Sequence, residues 1–171
     1  MEKLVILGAG GYGRTVADLA QQSGRYERIA FLDDQSQEPD VLGVCGAFAE
    51  FEDGNTEMYP AFGNNELRLA WLDKLEQAHI PVMTLVHPTA YVSPTGKVGA
   101  GTVVLPHAVV NTACAVNRGC IINCGAIVDH GCLLEEGVHV CLGAVVKAEN
   151  RIPRCMKIEA GTVVENRTYP L

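Results

Sequence analysis

The stretch that decides the fold is residues 98–146, VGAGTVVLPHAVVNTACAVNRGCIINCGAIVDHGCLLEEGVHVCLGAVV. An aliphatic residue recurs at every sixth position of this stretch, and the spacing continues beyond both of its ends. The complete series is Val86, Val92, Val98, Val104, Val110, Val116, Ile122, Val128, Leu134, Val140, Val146, Ile152, Ile158 and Val164. A helix repeats near 3.6 residues and a half-buried strand near two, so a period of six fits neither element alone.

A second series of mostly small residues runs two positions before the first. Its members are Ala90, Gly96, Thr102, Ala108, Cys114, Cys120, Ala126, Cys132, Val138 and Ala144. Short strands joined by turns account for both series, because a narrow coil admits only small side chains beside its inward aliphatic residues. The sequence therefore predicts a hexapeptide parallel β-helix over residues 85–171. Its inward cysteines are expected to be packing residues and not zinc ligands.

The sequence of residues 1–84 predicts a small α/β unit of alternating strands and helices. The expected elements are strands at 3–7, 29–32, 57–62 and 80–86, a helix at 13–22, and a helix that ends near His79. Asn64 or Asn65 can cap the second helix. The alternation favours a parallel sheet with helices on its faces.

The first predicted strand is followed by the glycine pattern Gly8-x-Gly10-x-x-Gly13. Glycines in such a turn let the backbone approach a phosphate at the positive end of a helix. Asp33 lies about where an acid that binds a ribose would lie. The alternative is a tight strand–helix turn without a ligand. Because this unit is long enough for only half of a dinucleotide fold, a mononucleotide fits it better than NAD.

Composition excludes several classes of protein. No stretch approaches the roughly 20 uninterrupted apolar residues of a membrane span, and the apolar run at residues 4–7 is too short for a signal peptide. Seven scattered cysteines without a CxxC motif indicate reduced thiols in a cytoplasmic protein. Residues 1–84 carry 14 acidic and 6 basic side chains, a balance that argues against nucleic acid as a partner.

Basic residues crowd towards the end of the second half. They are Lys147, Arg151, Arg154, Lys157 and Arg167. Two interpretations are open: a solvated charged edge, or a site for an anionic ligand.

The two halves together resemble the bacterial acyltransferases of the sialic acid O-acetyltransferase and UDP-amino-sugar N-acetyltransferase family. The resemblance rests on LVILGAGGYGRTVADLA, FLDD, FGNNELR, LVHPTAYVSPTGKVGAGTVV and NCGAIVDHGCLLEEGVHVCLGA. It implies a Rossmann-like nucleotide-sugar-binding domain over residues 1–84 and a left-handed β-helix over 85–171. It also implies acetyl transfer from acetyl-CoA to an amine or hydroxyl of a nucleotide-linked or free sugar, in surface-glycan synthesis, without a metal.

The resemblance implies a substrate site in the first domain. Its residues are Gly10, Gly11 and Tyr12 along the phosphates and sugar, Asp33 and Asp34 at the uridine end, and Gly63 and Asn64 in the same cleft. The family's β-helix forms a homotrimer and binds acetyl-CoA between subunits. Apolar outward positions support such an association, namely Val103, Val109, Ile121, Ile127 and Val145.

In the second domain the resemblance makes His130 the general base and assigns His139 and Gly143 to the acetyl-CoA site. Imidazole suits the base because its ordinary pKa lies near working pH. The tetrahedral oxyanion needs a fixed N–H donor. A coil of three hexads brings residues 18 apart into register, so Ala148 would stack one coil beyond His130, and its N–H is a candidate donor.

Three points remain open: the role of His130, the acid that would support it, and whether the protein is catalytic. His130 could be an exposed turn histidine without a role. The family places an acid directly after this histidine, where this chain has Gly131, and the candidates to replace it are Asp129, Glu135 and Glu136. The chain could instead be a non-catalytic trimer that binds a nucleotide-sugar or regulates a partner enzyme of the same pathway.

Overall fold

The computed structural model describes residues 2–171 and divides into two units, Met1–Met83 and Thr84–Leu171. The first unit contains a four-stranded parallel sheet, here called sheet A, with the strand order β3-β2-β1-β4. The strands are β1 Glu2–Leu7, β2 Tyr26–Leu32, β3 Val41–Gly43 and β4 Thr56–Pro60. The helices are α1 Gly11–Ser23 and α2 Asn65–Gln77, and a 3₁₀ helix spans Cys45–Phe51.

Local signals explain the ends of both helices. Helix α1 ends at Gly24, whose left-handed backbone (φ 66°) is the conformation that glycine adopts most readily. Helix α2 begins after Asn64, whose side-chain oxygen accepts a hydrogen bond from Leu67 N at 2.9 Å. The prediction that an asparagine caps this helix is confirmed.

Two features of the first unit differ from the sequence prediction. The edge strand β3 and the 3₁₀ helix were missed, because three residues and one short turn carry no periodic signal. The continuous strand predicted at 80–86 was wrong. Val82 forms a single bridge with Met58, and Leu85 N donates to Thr102 O of the second unit. The predicted strand is split because its two ends hydrogen-bond to different partners.

The second unit is a left-handed parallel β-helix of fourteen two-residue strands, β5 to β18. Sheet B contains β5 Leu85–Val86, β8 Val103–Val104, β11 Ile121–Ile122, β14 His139–Val140 and β17 Lys157–Ile158. Sheet C contains β6 Tyr91–Val92, β9 Val109–Val110, β12 Ile127–Val128, β15 Val145–Val146 and β18 Val163–Val164. Sheet D contains β7 Lys97–Val98, β10 Ala115–Val116, β13 Leu133–Leu134 and β16 Arg151–Ile152.

Each coil of this helix contains three strands and three turns. Val128, for example, pairs with Val110 in the coil before it and Val146 in the coil after it, which confirms the coil of three hexads. The turns form three corners, which are named B–C, C–D and D–B after the sheets that they join. The C–D corner, for instance, comprises residues 93–96, 111–114, 129–132, 147–150 and 165–168.

The core confirms the inward series with one exception. Aliphatic residues from Val104 to Val164 form one buried cluster with the small residues, including Cys114, Cys120 and Cys132. Val86 is 41% exposed and was wrongly assigned to the core. It lies in the first coil, which has no preceding coil to pack against it.

Candidate functional site

The glycine turn after β1 contains glycines of two kinds. Gly8 has φ 103°, and a Cβ on Gly13 would lie 2.0 Å from the Gly8 carbonyl oxygen, so the fold itself requires both. Gly10 and Gly11 are exposed, and a Cβ on either would meet no atom within 4 Å. The fold therefore gives no steric reason for glycine at positions 10 and 11.

The start of α1 is suited to an anion. No side chain caps the helix at Gly10, and its first turn contains no acidic residue. The first backbone N–H groups of a helix lack partners within it and carry a partial positive charge. Gly10 and Gly11 leave the approach to these groups open, so a phosphate can reach them.

Asp33, at the end of β2, is used by the fold. Its Oδ2 accepts a hydrogen bond from Ala9 N at 2.7 Å, and its Oδ1 accepts from Gln35 N and Ser36 N at 2.8 Å. These bonds, that of Ala9 above all, lower the pKa of the Asp33 carboxyl below its ordinary value. Asp33 thus ties the glycine turn to the loop that follows β2.

Asp34 has a similar structural task. Its Oδ1 accepts a hydrogen bond from Cys45 N, the first residue of the 3₁₀ helix, at 2.8 Å. Both predicted uridine-facing acids therefore hold loops in place, in addition to any contact with a ligand.

Tyr12 lies in the first turn of α1, and its hydroxyl is 2.7 Å from the hydroxyl of Tyr59. Tyr59 is fully buried on β4, so the Tyr12 hydroxyl points into the unit. Burial, and then the nearby Tyr59, raise the pKa of Tyr12 well above its ordinary value. Tyr12 is therefore a neutral phenol whose hydroxyl is already engaged with Tyr59.

The turn between β4 and α2 combines an open glycine with a buried arginine. Gly63 is exposed with space around its Cα, while the neighbouring Asn64 caps α2. Arg68 is fully buried and donates to Phe62 O and Asn65 Oδ1, both at 2.8 Å. This arginine, which the sequence analysis missed, fixes the turn by binding its backbone.

These turns meet at the carboxyl edge of sheet A. Gly8 packs against the turn after β4, since a Cβ added to Gly8 would lie 3.2 Å from Ala61 O. Asp33 joins the same glycine turn to β2. Open α/β sheets bind ligands at this edge, outside the carboxyl ends of their strands. The exposed backbone of Gly10, Gly11 and Gly63 is what remains available there.

His130 lies in the C–D corner of the β-helix, directly before Gly131 in a turn. Its backbone N–H donates to Asp129 Oδ1 at 2.7 Å. Its side chain is exposed, and its ring makes no hydrogen bond or ion pair within residues 2–171. The imidazole is therefore available for chemistry.

Ala148 lies one coil beyond His130, as the 18-residue coil predicts. In the two preceding coils the first corner residue accepts from the next N–H: Asn111 Oδ1 from Thr112 N at 2.8 Å, and Asp129 Oδ1 from His130 N. Lys147 occupies this place before Ala148 and has no acceptor to offer. Within the described part of the chain, the Ala148 N–H consequently has no hydrogen-bond acceptor.

His139 belongs to sheet B, next to the B–C corner. Its Nε2 lies 3.1 Å from Asn123 Nδ2, and Asn123 Oδ1 accepts from Cys124 N at 2.8 Å. The second bond fixes the amide, so its NH₂ faces the imidazole and Nε2 is the acceptor. Asn123 is a neighbour of His139 that the sequence analysis missed, because the two lie 16 residues apart.

Gly143 lies in the B–C corner with a left-handed backbone (φ 62°). Its N–H donates to Cys124 O at 3.0 Å, and a Cβ there would meet open space. The turn conformation alone explains this glycine. A contact with a ligand at Gly143 would have to use its carbonyl or its open face.

The structure thus divides the predicted β-helix residues between two corners. His130 and Ala148 lie at the C–D corner, whereas Gly143 lies at the B–C corner with His139 beside it. The outer face of sheet C separates these corners. Six residues lead from one corner to the next, a contour of at most about 20 Å.

Two of the three acids that were candidates to replace the one lacking at position 131 lie away from His130. Glu135 and Glu136 lie at the D–B corner, where they pair with Arg151 and Arg118, so they do not lie at the His130 corner. Their sequence proximity was misleading because a corner separates them from His130. Glu149, one coil beyond Gly131, lies at the correct corner: a Cβ on Gly131 would lie 3.6 Å from Glu149 Cγ.

Four of the five basic residues near the end of the chain form ion pairs with neighbouring acids, and the fifth, Arg154, binds an acid through its backbone N–H. Lys147 pairs with Glu165, Arg151 with Glu135, Lys157 with Glu159 and Arg167 with Glu149, while Arg154 N donates to Glu135 Oε2. These pairs favour the charged-edge interpretation over a separate anion site.

Sheet C carries a column of apolar side chains on its outer face. The members, in register along the β-helix, are Tyr91, Val109, Ile127, Val145 and Val163. Tyr91, Ile127 and Val163 are large exposed residues. Val103 and Ile121, predicted to be outward, are fully buried on sheet B. The six-residue period predicts that a side chain points outward. Only the 18-residue coil assigns that side chain to one of the three sheets.

Residues 2–171 contain neither a metal-ligand cluster nor a membrane-spanning helix. Among residues 2–171, no three His, Cys, Asp or Glu side chains are grouped so that they could hold a metal ion. Neither helix in this range has the length and apolar character needed to cross a membrane.

Comparison with known proteins places these features in a family. The PglD N-terminal domain family matches residues 3–75. UDP-N-acetylbacillosamine N-acetyltransferase of Bacillus subtilis (strain 168) is 28% identical over 125 residues, which are 61% of this chain and 52% of that protein. The chain therefore spans about half the length of this curated relative.

Solved structures match nearly the whole chain. The acetyltransferase domain of PglB from Neisseria gonorrhoeae FA1090 is 32% identical, with a TM-score of 0.92 over 98% of this chain and 84% of that one. The same domain is known in complex with acetyl coenzyme A. PerB from Caulobacter crescentus, in complex with CoA and GDP-perosamine, is 23% identical with a TM-score of 0.75, over 100% of this chain and 92% of that one, and shares the fold.

The 32% identity to the PglB domain extends over 98% of this chain. It is decisive because a match of this length includes both the glycine turn and the His130 corner. The chain belongs to the sialic acid O-acetyltransferase and UDP-amino-sugar N-acetyltransferase family, whose members join a Rossmann-like domain to a left-handed β-helix.

Proposed function

We propose that this protein transfers the acetyl group of acetyl-CoA to an amine or hydroxyl of a nucleotide-linked sugar, with His130 as general base. The observation that carries the proposal is the C–D corner, where an uncommitted imidazole lies one coil from an unbonded backbone N–H. The related PglB domain in complex with acetyl coenzyme A supports the donor. GDP-perosamine in the PerB complex supports a nucleotide-sugar acceptor.

The chemistry follows from these two groups. The acceptor nitrogen or oxygen attacks the thioester carbonyl, and a ring nitrogen of His130 takes the proton that it loses. The carbonyl oxygen becomes an oxyanion, which the Ala148 N–H can stabilise. When the tetrahedral intermediate collapses, the C–S bond breaks and its electron pair leaves with sulfur. The acetylated sugar and CoA are the products, and no acyl-enzyme is formed.

The acceptor's nucleotide is assigned to the carboxyl edge of sheet A. The open N–H groups at the start of α1 bind its diphosphate, with Gly10, Gly11 and Gly63 permitting close approach. Asp33 and Asn64 hold the adjoining loops, and Tyr12 presents its ring beside the glycine turn. Surface-glycan synthesis in the cytoplasm is the proposed setting.

A homotrimer is proposed as the active form. The apolar column on sheet C is suited to burial against a second copy, because exposed apolar faces of this extent mark interaction surfaces. His130 of one copy would then face the acetyl-CoA site, His139 and Gly143, of its neighbour. I127E places a charge in the middle of the column, and light scattering should show monomers together with loss of turnover. A trimeric I127E protein would contradict this interface.

The mechanism is tested by comparing the wild-type protein with H130A. Release of CoA from acetyl-CoA is followed with UDP- and GDP-linked amino sugars as acceptors. H130A should lower turnover by roughly 10²–10⁴, the usual contribution of a general base, and leave acetyl-CoA binding by calorimetry intact. H107A is the matched control, since His107 is an exposed histidine of the B–C corner.

Two results would overturn the proposal. Full activity of H130A would remove His130 from the mechanism. A wild-type protein that binds nucleotide-sugars but not acetyl-CoA would be a non-catalytic nucleotide-sugar-binding protein.

A further inference from the structure

A general base works best when its imidazole is held in one orientation and one tautomer. A hydrogen bond from one ring N–H to a carboxylate does this and leaves the other nitrogen free to accept a proton. His130 is exposed on a corner, where its own packing does not fix the ring. The question is therefore which carboxylate lies within reach of this side chain.

Glu149 reaches the His130 corner from the next coil. Its backbone N–H donates to the His130 carbonyl at 3.2 Å, so the two residues are adjacent across the coil boundary. Its Cγ lies 3.6 Å from the place where a Cβ on Gly131 would be. The Glu149 side chain thus lies beside the turn that carries His130, at van der Waals distance from the position that a Cβ on Gly131 would take.

The Glu149 carboxylate is held on one side only. Both contacts from Arg167 go to Oε2, from Nε at 2.5 Å and from an NH₂ group. Oε1 accepts no hydrogen bond from any residue in the range 2–171. Arg167 therefore anchors the carboxylate and leaves one oxygen for a further donor.

Side chains occupy the left-handed backbone position in more coils of this corner than of the B–C corner, where His107 (φ 60°) is the one residue other than glycine that adopts it. The left-handed position is glycine in three successive coils of the B–C corner, Gly125, Gly143 and Gly161. At the C–D corner Glu149 and Arg167 occupy it, with φ 60° and 54°. A side chain in this conformation costs on the order of 1 kcal/mol, and such strain concentrates at functional sites.

Asp129 is the competing carboxylate, since it directly precedes His130. Its Oδ1 is occupied by His130 N and by Asn111 Nδ2 at 3.2 Å. Those bonds direct the carboxylate to the backbone and towards the preceding coil. Glu149 approaches from the opposite coil, on the side of Ala148.

We propose that Glu149 is the positioning residue of His130: its Oε1 accepts a ring N–H of the imidazole, while Arg167 holds its Oε2. This assignment rests on the proposed function, in which His130 is the base. It goes beyond that function by naming the group that orients the base. Sequence reasoning missed Glu149 because it is distant from His130 along the chain and lies next to it only through the coil.

The test is E149A, and the chain itself shows that alanine fits. Ala113 occupies the equivalent left-handed position two coils earlier, with φ 56°. E149A should lower kcat by about ten- to hundredfold, the usual effect of losing an orienting carboxylate, with KM for both substrates unchanged. E149Q keeps an acceptor oxygen and should retain most of kcat. E136A is the matched control, because Glu136 also pairs with an arginine of an adjacent coil, at the D–B corner.

A second measurement does not depend on activity. In ¹⁵N-histidine-labelled protein, a long-range ¹H–¹⁵N spectrum reports which ring nitrogen carries the proton, and H130A assigns the His130 signals. The wild-type protein should show a resolved ring N–H of a single tautomer. E149A should lose that signal and show the averaged nitrogens of a free imidazole, and E136A should leave it unchanged.

Each outcome decides the proposal. An unchanged His130 signal in E149A, or a signal lost in D129A in place of E149A, overturns it. A changed signal with wild-type kcat overturns the role in catalysis. If the wild-type protein transfers acetyl to no acceptor, the proposed function fails, and the spectrum still decides whether Glu149 holds His130.

Discussion

The two units differ in how they use the residues that sequence motifs assign to ligands. In the α/β unit, Asp33 bonds three backbone N–H groups, Asn64 caps a helix and Tyr12 binds Tyr59. In the β-helix, the His130 ring and the Ala148 N–H have no such partner within residues 2–171. The polar motif side chains of the first unit are largely used by the fold, whereas the two groups at the His130 corner of the second unit are available to a ligand.

The repeat explains this difference. Each loop of the α/β unit is unique, so its polar residues must close their own loop before they serve a ligand. Every corner of the β-helix has counterparts one coil away, and the turn is closed by the same backbone bonds each time. Lys147 stands where the two preceding coils have Asn111 and Asp129, and this departure from the pattern leaves the Ala148 N–H without the bond that the equivalent N–H groups make.

The glycine turn contains both kinds of residue, and within it G13A should lower the stability of the protein most. A Cβ at position 13 would lie 2.0 Å from the Gly8 carbonyl oxygen, so the helix and the strand must separate. We expect a loss of more than about 3 kcal/mol in the free energy of unfolding, measured by urea denaturation. Nucleotide-sugar binding should be lost with the fold of this unit.

G10A and G11A are the matched controls for G13A, since a Cβ at either position meets open space. Stability should change by less than about 0.5 kcal/mol, and nucleotide affinity should fall about tenfold if a phosphate approaches this backbone. If G10A and G11A bind UDP- and GDP-sugars as tightly as the wild-type protein, no phosphate approaches this backbone and the proposed nucleotide site at the start of α1 is wrong.

Asn150 also departs from the repeat, but its side chain is fully hydrogen-bonded. It is fully buried at a small inward position, donates to Lys147 O and Glu165 O at 2.8 Å, and accepts from Tyr169 N at 2.9 Å. N150A removes these three bonds and leaves Tyr169 N without its acceptor, although Lys147 O still accepts from Cys132 Sγ and Glu165 O from Thr168 Oγ1. It should cost about 2–3 kcal/mol of unfolding free energy without changing the affinity for acetyl-CoA.

The exposed Asn166 provides the control for N150A. N166A should stay within about 0.5 kcal/mol of the wild-type protein. A loss of acetyl-CoA binding in N150A at unchanged stability would show that this departure also serves a ligand.

The β-helix could be predicted from sequence because its signal is repeated. Fourteen aliphatic residues at one spacing fix the strands, the inward faces and the coil length together, and only Val86 was assigned wrongly. The α/β unit gave its main elements but not β3 or the 3₁₀ helix, whose short lengths have no period. The prediction of one strand over residues 80–86 failed because an apolar run does not show which unit its residues pair with.

The candidate site was predictable only where the period applied. The stacking of Ala148 on His130 follows from the 18-residue coil, and Glu149 could have been found in the same way from Gly131. The pairing of Asn123 with His139, and of Tyr12 with Tyr59, depends on side-chain directions that one sequence does not encode. Likewise, a motif places Asp33 near a ligand but cannot show that three backbone N–H groups already bind it.

The smallest expected effect concerns Asp33 and depends on pH. Backbone N–H donors, first that of Ala9, hold the folded-state pKa of Asp33 below its ordinary value. The folded state therefore binds this proton less readily than the unfolded state. The resulting stability is fully present above about pH 4, the ordinary pKa of aspartate, and is lost as the pH falls from there through the lowered pKa.

D33N cannot ionise and should be about 1–2 kcal/mol less stable than the wild-type protein between pH 5 and pH 7. The difference in unfolding free energy, measured by urea denaturation, should shrink as the pH falls below about 4, because protonation then removes the charge from the wild-type carboxyl as well. A difference that stays constant down to pH 2 would show that the bonds to Ala9, Gln35 and Ser36 do not depend on the charge. Asp33 would then be a neutral loop anchor, and the contrast with the free His130 corner would rest on geometry alone.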